Sequence, residues 1–222
     1  MADKPVFTIQ DLHYTYPNGV EAIRGLNAEI PESRLTVITG DNGAGKTTLL
    51  LLLDGLIFPT KGAVVYRGTR LSEKLLETGE FAKGFRRQVG LVFQEPDVQL
   101  FNPTVAQDLS YSPNSLGLDQ PDQRALRAAR AMGVEDLMNR PPHALSWGQK
   151  KRAALATVLA GDYDVFLLDE PSAGLDSRGK RLLMSVVEAL LREGKTIVVV
   201  AHDDPQLFSL GDHEIRLSPP GT

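Results

Sequence analysis

Residues 145–170, LSWGQKKRAALATVLAGDYDVFLLDE, carry the decision about the fold. The polar entry Leu145-Ser146-Trp147-Gly148-Gln149 opens an amphipathic pattern that predicts a helix over Ser146–Ala160. Ser146 and Gln149 stand three residues apart, the spacing of a capping box in which each side chain closes on the other's backbone. Val165–Leu168 is wholly apolar, which predicts a strand buried on both faces, and it leads into the acid pair Asp169-Glu170. Carboxylates at the end of such a strand stand at the carboxyl edge of an open α/β sheet, where ligands bind.

Outward from this stretch the same alternation continues. Ser177–Arg192 predicts a third long helix and Thr196–Ala201 an apolar strand. Upstream, Leu35–Thr39 is a short apolar strand, Leu49–Leu56 a buried helix, Val89–Gln94 a strand and Pro121–Met132 a helix. Nearer the start, Val6–Ile9 and Tyr14–Tyr16 have strand composition, and Pro17-Asn18-Gly19 is a turn that joins antiparallel neighbours. Gly62–Gly68 is a further β segment. Strands alternating with helices in the second half predict a parallel sheet with helices on both faces. The tail after Leu217 is expected to be disordered.

Composition narrows the function. The 222 residues are 42% hydrophobic and 23% charged, ordinary values for a soluble globular chain. A net charge of -4 argues against a nucleic-acid binder held by bulk charge, although Lys150-Lys151-Arg152 is a local basic cluster. With no cysteine, disulfides, thiolate metal sites and cysteine catalysis are excluded. Met1–Pro5 lacks the apolar core of a secretion signal, and no apolar run approaches the ~18 residues of a membrane span. The chain is expected to be cytosolic and to reach a membrane only through a partner.

Gly40-Asp41-Asn42-Gly43-Ala44-Gly45-Lys46-Thr47 follows a predicted strand and opens a predicted helix, the context a phosphate loop requires. Its glycines let backbone N–H groups turn toward a β-phosphate, and the helix N-terminus adds positive potential. Lys46 is placed to reach the β- and γ-phosphates, and Thr47 to set its hydroxyl on Mg²⁺. Asp169 is the expected metal partner, and Glu170, one residue on, the general base or orienter of a water in line with the γ-phosphate. The uncovered N-terminus at Ser146–Gln149 is an anion site with no geometric reason to serve this chain's own loop, so a partner's nucleotide is its natural target.

Together these residues resemble an ATP-binding cassette (ABC) ATPase over nearly the whole chain. Residues 40–47 resemble Walker A, Leu145–Gln149 the signature motif, Val165–Glu170 Walker B, and Ser172-Ala173-Gly174-Leu175-Asp176 the D-loop. The resemblance implies a P-loop α/β fold with a mixed, mainly parallel core sheet, an antiparallel β subdomain and a helical subdomain. The core and β subdomain are expected over about 1–93 and 162–217, the helical subdomain over about 95–161, with 218–222 as tail. It implies ATP and Mg²⁺ as cofactors. Nucleotide contacts are implied for Tyr16, stacked on adenine, and for Gly40, Asp41, Asn42, Gly43, Ala44, Gly45, Lys46, Thr47 and Thr48. Ser146, Gly148 and Gln149 are expected to act in trans. Gln94 is the expected sensor of Mg²⁺ and water, His202 the switch on the γ-phosphate, and Trp147 and Asp176 dimer contacts.

The stretch 92–101, VFQEPDVQLF, followed by Thr104–Leu109, is similar to the Q-loop region of energy-coupling factor (ECF) transporter ATPases, as are residues 140–146 and 148–152. That resemblance implies docking of a membrane T subunit on Asp97, Gln99, Leu100 and Phe101, and through it a substrate-binding S subunit. The expected unit is a pair of copies, a homodimer before a heterodimer, at the cytoplasmic face of the membrane. The chain stops soon after its last predicted strand, without the added C-terminal segment of many cobalt-type ECF ATPases. It is similar in this to the short ATPase of biotin transporters, so the expected cargo is biotin, with cobalt or nickel next. Two departures stand out: Trp147 replaces the first glycine of LSGGQ, and Asp41 puts an acid in the phosphate loop; both are expected to slow turnover. The competing classes are another ABC importer or exporter, and a non-transport ABC ATPase. The latter usually shows two fused cassettes, a coiled-coil insert or a basic face.

Overall fold

A computed structural model describes residues 5–201 and 204–219; the expected switch residue His202 lies outside the described residues. In chain order the elements are β1 (Pro5–Thr15), β2 (Glu21–Pro31), β3 (Leu35–Gly40), α1 (Lys46–Asp54), β4 (Lys61–Tyr66) and β5 (Thr69–Arg70). Then come α2 (Glu73–Glu77), α3 (Glu80–Gln88), β6 (Val89–Val92), α4 (Val105–Ser115), α5 (Pro121–Ala131) and α6 (Trp147–Leu159). The chain continues through β7 (Val165–Asp169), α7 (Ser177–Arg192), β8 (Thr196–Val200), α8 (Pro205–Leu210) and β9 (His213–Leu217).

Two sheets divide the strands. β6-β7-β8-β3-β9 pair in parallel, and β2-β1-β4-β5 pair antiparallel. The predicted turn at Pro17-Asn18-Gly19 closes β1 on β2: Gly19 adopts φ +85, and the Tyr16 N–H donates to Val20 O at 2.8 Å. In the parallel sheet, strict alternation splits one apolar strand between two cores. Phe166 and Leu168 of β7 pack with α5, α6 and α7, whereas Val165 and Leu167 pack with α1 and the antiparallel sheet. Ile197 and Val199 of β8 join the first core, Val198 and Val200 the second. A continuous apolar run is what burial on both faces requires.

Several elements depart from the sequence reading. α1 begins at Lys46, directly on the phosphate loop, and ends at Gly55 in the left-handed region (φ +71). Thr196–Val200 is not the last strand: β9 follows and pairs with β3. His213-Glu214-Ile215-Arg216-Leu217 hides as a strand because it is an edge, with only Ile215 and Leu217 turned inward. α4 runs past Leu109 through Pro113, where the Ser-Pro-Asn run reads as a breaker; its Thr104–Gln107 capping box and buried Val105 and Leu109 fix it instead. α2, α3 and α8 are short, and one or two buried residues in each leave little periodic signal.

The last residue of α1 is a carboxylate at a helix C-terminus, where the helix dipole already opposes negative charge. Burial pushes the half-buried Asp54 carboxyl up from 3.8 to about 7, with Arg86 pulling the other way. The native chain therefore keeps a proton that the unfolded chain has released, and it loses stability as pH rises from about 4 to about 7. Asp54→Asn removes that loss. The melting temperature of the variant relative to wild type is expected to rise between about pH 4 and about pH 8. A difference that stays flat across this window contradicts the assignment.

Candidate nucleotide site

β3 delivers the chain into a loop that α1 takes up at Lys46, so the first amides of that helix face open space without intrahelical partners. Glycine is dictated at the junction. Gly45 has φ +88, and a Cβ there would stand 2.4 Å from the carbonyl oxygen of Ala22. The Lys46 ammonium donates to the carbonyls of Gly40 (2.8 Å) and Asp41 (2.9 Å), which ties the start of the loop to its end.

A cleft of about 630 Å³ opens over this loop, a volume suited to a nucleotide. Tyr16, Lys46, Thr47, Thr48, Gln94 and Glu170 line it together with Asn42, Gly43 and Gly45. The Tyr16 hydroxyl shares a 2.8 Å hydrogen bond with Thr48 Oγ1, and its ring is held edge-on to Tyr14 at 5.0 Å. Gly40, Asp41 and Ala44 are not lining residues: the first two serve Lys46 through their carbonyls, and Ala44 is buried.

At the carboxyl end of β7 two acids have different surroundings. Asp169 is 3% exposed, and its Oδ1 has no hydrogen-bond partner among the described residues. Burial raises its carboxyl, opposed by a hydrogen bond from Thr47 and by the charges of Lys151 and Lys46, while Glu170 raises it further. An orphaned buried carboxylate oxygen beside a threonine hydroxyl is a donor set that fits a hard divalent cation. Glu170 leaves the strand at φ +43, a conformation non-glycine residues rarely adopt, with its N–H on Val200 O at 3.1 Å. Its Oε2 accepts from Gln94 Nε2 at 3.1 Å.

Beneath this pair lies a residue whose role the sequence did not reveal. Lys151, expected in an exposed basic cluster, is fully buried. Its ammonium donates to Gln94 O (2.8 Å), Phe93 O (3.2 Å) and Asp169 O (3.2 Å). Burial pushes it down to about 8, against the pull of Asp169, Glu170 and Glu95. The cluster dissolves on either side too, since Lys150 pairs with Asp97 at 2.6 Å and Arg152 with Asp176 at 3.9 Å. A signal was present: Lys151, Ala154, Leu155 and Val158 have the spacing of one helix face, and all four are buried.

The capping box at α6 is formed as the spacing predicts. The Ser146 N–H donates to Gln149 Oε1 at 2.9 Å, and the Gln149 N–H to Ser146 Oγ at 3.4 Å. None of residues 145–149 lines the cleft. Asp176 caps α7, accepting from the Gly179 N–H at 2.6 Å.

The expected docking segment divides. Asp97 is exposed and Phe101 is 63% exposed, whereas Leu100 is buried and Gln99, half-buried at the groove, commits its side chain to internal hydrogen bonds. Gln99 donates to Ala154 O (2.9 Å) and Thr157 Oγ1 (2.6 Å) and accepts from the Phe93 N–H (3.2 Å), while Leu100 joins the helical core. The outward residues are Val98, Phe101, Tyr111 and Leu56, around a groove of about 290 Å³ floored by Asp54 and Tyr163. Asp108, another residue sequence reasoning passed over, accepts from the Phe101 and Asn102 N–H groups (3.1 and 2.9 Å) and so shapes the turn.

The model of the ABC transporter family matches residues 23–173. The chain belongs to that family. As an ABC ATPase it binds and hydrolyses ATP. It is 43% identical over 212 residues to an energy-coupling factor transporter ATP-binding protein, EcfA, of Carboxydothermus hydrogenoformans, covering 95% of this chain and 76% of that one. It is 42% identical over 220 residues to the nickel import ATP-binding protein NikO of Rhodobacter capsulatus, covering 96% and 85%. Among solved structures, CbiO1 of Clostridium perfringens, described as part of the ABC transporter complex CbiONQ, superposes at TM-score 0.78 with 33% identity, covering 96% and 84%. The ABC cassette MJ0796, in a dimeric post-hydrolysis state bound to ADP and Pi, superposes at 0.83 with 28% identity, covering 95% and 94%.

Proposed function

We propose that this ABC ATPase is the ATP-hydrolysing subunit of an ECF-type importer and works as a pair of identical chains. One observation carries the pairing. Lys46, Thr47, Gln94 and Glu170 share a cleft that the capped helix end at Ser146–Gln149 does not line, so a second chain is needed to bring such an end to the nucleotide. Residues 1–93 and 162–217 then form the phosphate-binding part and 95–161 the part that carries the helix end, with the groove lined by residues of both.

In the bound state Lys46 exchanges the carbonyls of Gly40 and Asp41 for phosphate oxygens, a stronger, charge-assisted pairing. Tyr16 offers its ring face to the base. Thr47 and Asp169 would hold Mg²⁺, which offsets charge on the phosphates when bound. Glu170 takes a proton from the attacking water, and Gln94 holds that carboxylate in register. The partner's Ser146 hydroxyl and Gly148 amide would meet the γ-phosphate. His202, as the family places it, completes the set.

No helix among the described residues is long and apolar enough to cross a membrane. Contact with the cytoplasmic face would run through the groove at Val98, Phe101 and Tyr111, an apolar rim suited to the helices of an integral T subunit and, through it, an S subunit. The EcfA relative supports an ECF-type importer, and the nickel-import relative, aligned over 96% of this chain, supports a transition metal ion as one cargo class. Purifying the tagged full chain from its native membranes tests the reading. A multispanning integral protein is expected to copurify and to be lost from a Phe101→Glu, Tyr111→Glu variant. Recovery of wild type with no integral membrane protein overturns it.

A further inference from the structure

Trp147 stands where the related signature motif has glycine, and the structure shows what its bulk meets. A Cβ built on Gly174 would stand 2.1 Å from Trp147 Cζ3 and 2.5 Å from Cε3, so the six-membered edge of the indole lies directly on the Gly174 backbone. Gly174 has φ +65 and belongs to the loop that runs from Glu170 to the α7 cap at Asp176. That loop is tied back to its origin by the Ala173 N–H on Glu170 O at 3.2 Å. The indole also lies 6.0 Å from the Lys151 ammonium, within cation–π range. Lys151 in turn holds the carbonyls of Gln94 and Asp169.

Two chains of contact therefore leave one indole and end on the same few residues. One passes through Gly174 to Glu170, the other through Lys151 to Gln94 and Asp169. We propose that Trp147 is a positioning residue: its indole clamps Gly174 and braces the loop that holds Glu170 in its left-handed turn beside Gln94. The bulk expected to slow turnover instead supports it. This rests on the reading of Glu170 as the hydrolytic base.

Trp147 is the only tryptophan of the chain, so its emission reports the contact without labelling. In the full-length ATPase, Trp147→Gly is expected to lower kcat about fivefold or more while KM for ATP moves less than about twofold, the signature of an interaction that matters in the transition state. Trp147→Phe restores at least about half of the wild-type kcat, since a flat ring still covers Gly174. Gly174→Ala strains the backbone in any background but meets the indole only when Trp147 is present. Its loss in melting temperature is therefore expected to be smaller beside Trp147→Gly than alone, and alone it shifts Trp147 emission to the red. Additive melting losses, an unmoved emission, or a Trp147→Gly enzyme with wild-type kcat each overturn the proposal. A wild-type chain that hydrolyses no ATP overturns the reading of the cleft, and the melting cycle and emission then decide separately whether the indole holds Gly174.

Discussion

Glu170→Gln is expected to bind ATP and hydrolyse it about 10²–10⁴-fold more slowly, the range set by loss of a positioned general base. The substitution keeps the shape and leaves an oxygen that can still accept from Gln94 Nε2, now at 3.1 Å from Glu170 Oε2. It removes the ability to take a proton. It also removes a negative charge beside Asp169, a carboxylate that Glu170 otherwise raises, so nucleotide and cation binding are not weakened. With hydrolysis stalled and binding intact, the ATP-bound pair should persist, visible as a dimer in size-exclusion chromatography with ATP and a monomer without it. Turnover near wild type would remove Glu170 from the mechanism and leave Gln94 as the remaining cleft residue able to orient water.

Lys151→Met is the second large effect, and it acts first on stability. The thioether fills the same channel but donates nothing, so the carbonyls of Phe93, Gln94 and Asp169 lose a shared donor in a dry environment. Each stranded acceptor costs about 1–3 kcal/mol, and a total near 3 kcal/mol is a large part of the ~5–15 kcal/mol that holds a domain together. At this chain length about 3 kcal/mol corresponds to a fall of about 6–12 °C in melting temperature. Hydrolysis at a temperature where the variant is still folded should fall too, because the Gln94 backbone is no longer fastened to the end of β7. A variant that melts within about 1 °C of wild type would show that the ammonium is dispensable.

The cleft was legible because its parts are local. A glycine-rich loop needs particular φ values at particular positions, a capping box needs three-residue spacing, and a strand buried on both faces needs an unbroken apolar run. Gly45 and the Ser146–Gln149 box obey these rules, and the strand predicted over Val165–Leu168 runs one residue further, to Asp169. The docking segment was legible only as a stretch. Which of Asp97, Gln99, Leu100 and Phe101 face outward depends on Thr157, Ala154 and Asp108, which lie on other elements. β9 escaped because an edge strand alternates charge with apolar residues and carries half the signal of an inner one.

The sequence by itself determined that this chain is an ABC ATPase with one phosphate loop, one acid pair and one signature end, since those features are set by rules acting over a few adjacent residues. Only the tertiary structure decided that Lys151 is a buried tie rather than a surface charge, that Leu100 is buried, and that Gln99 commits its side chain to internal hydrogen bonds. It alone placed the indole of Trp147 on Gly174. Burial and contact between distant segments follow from how α6 packs on the sheet, and no local spacing encodes that packing.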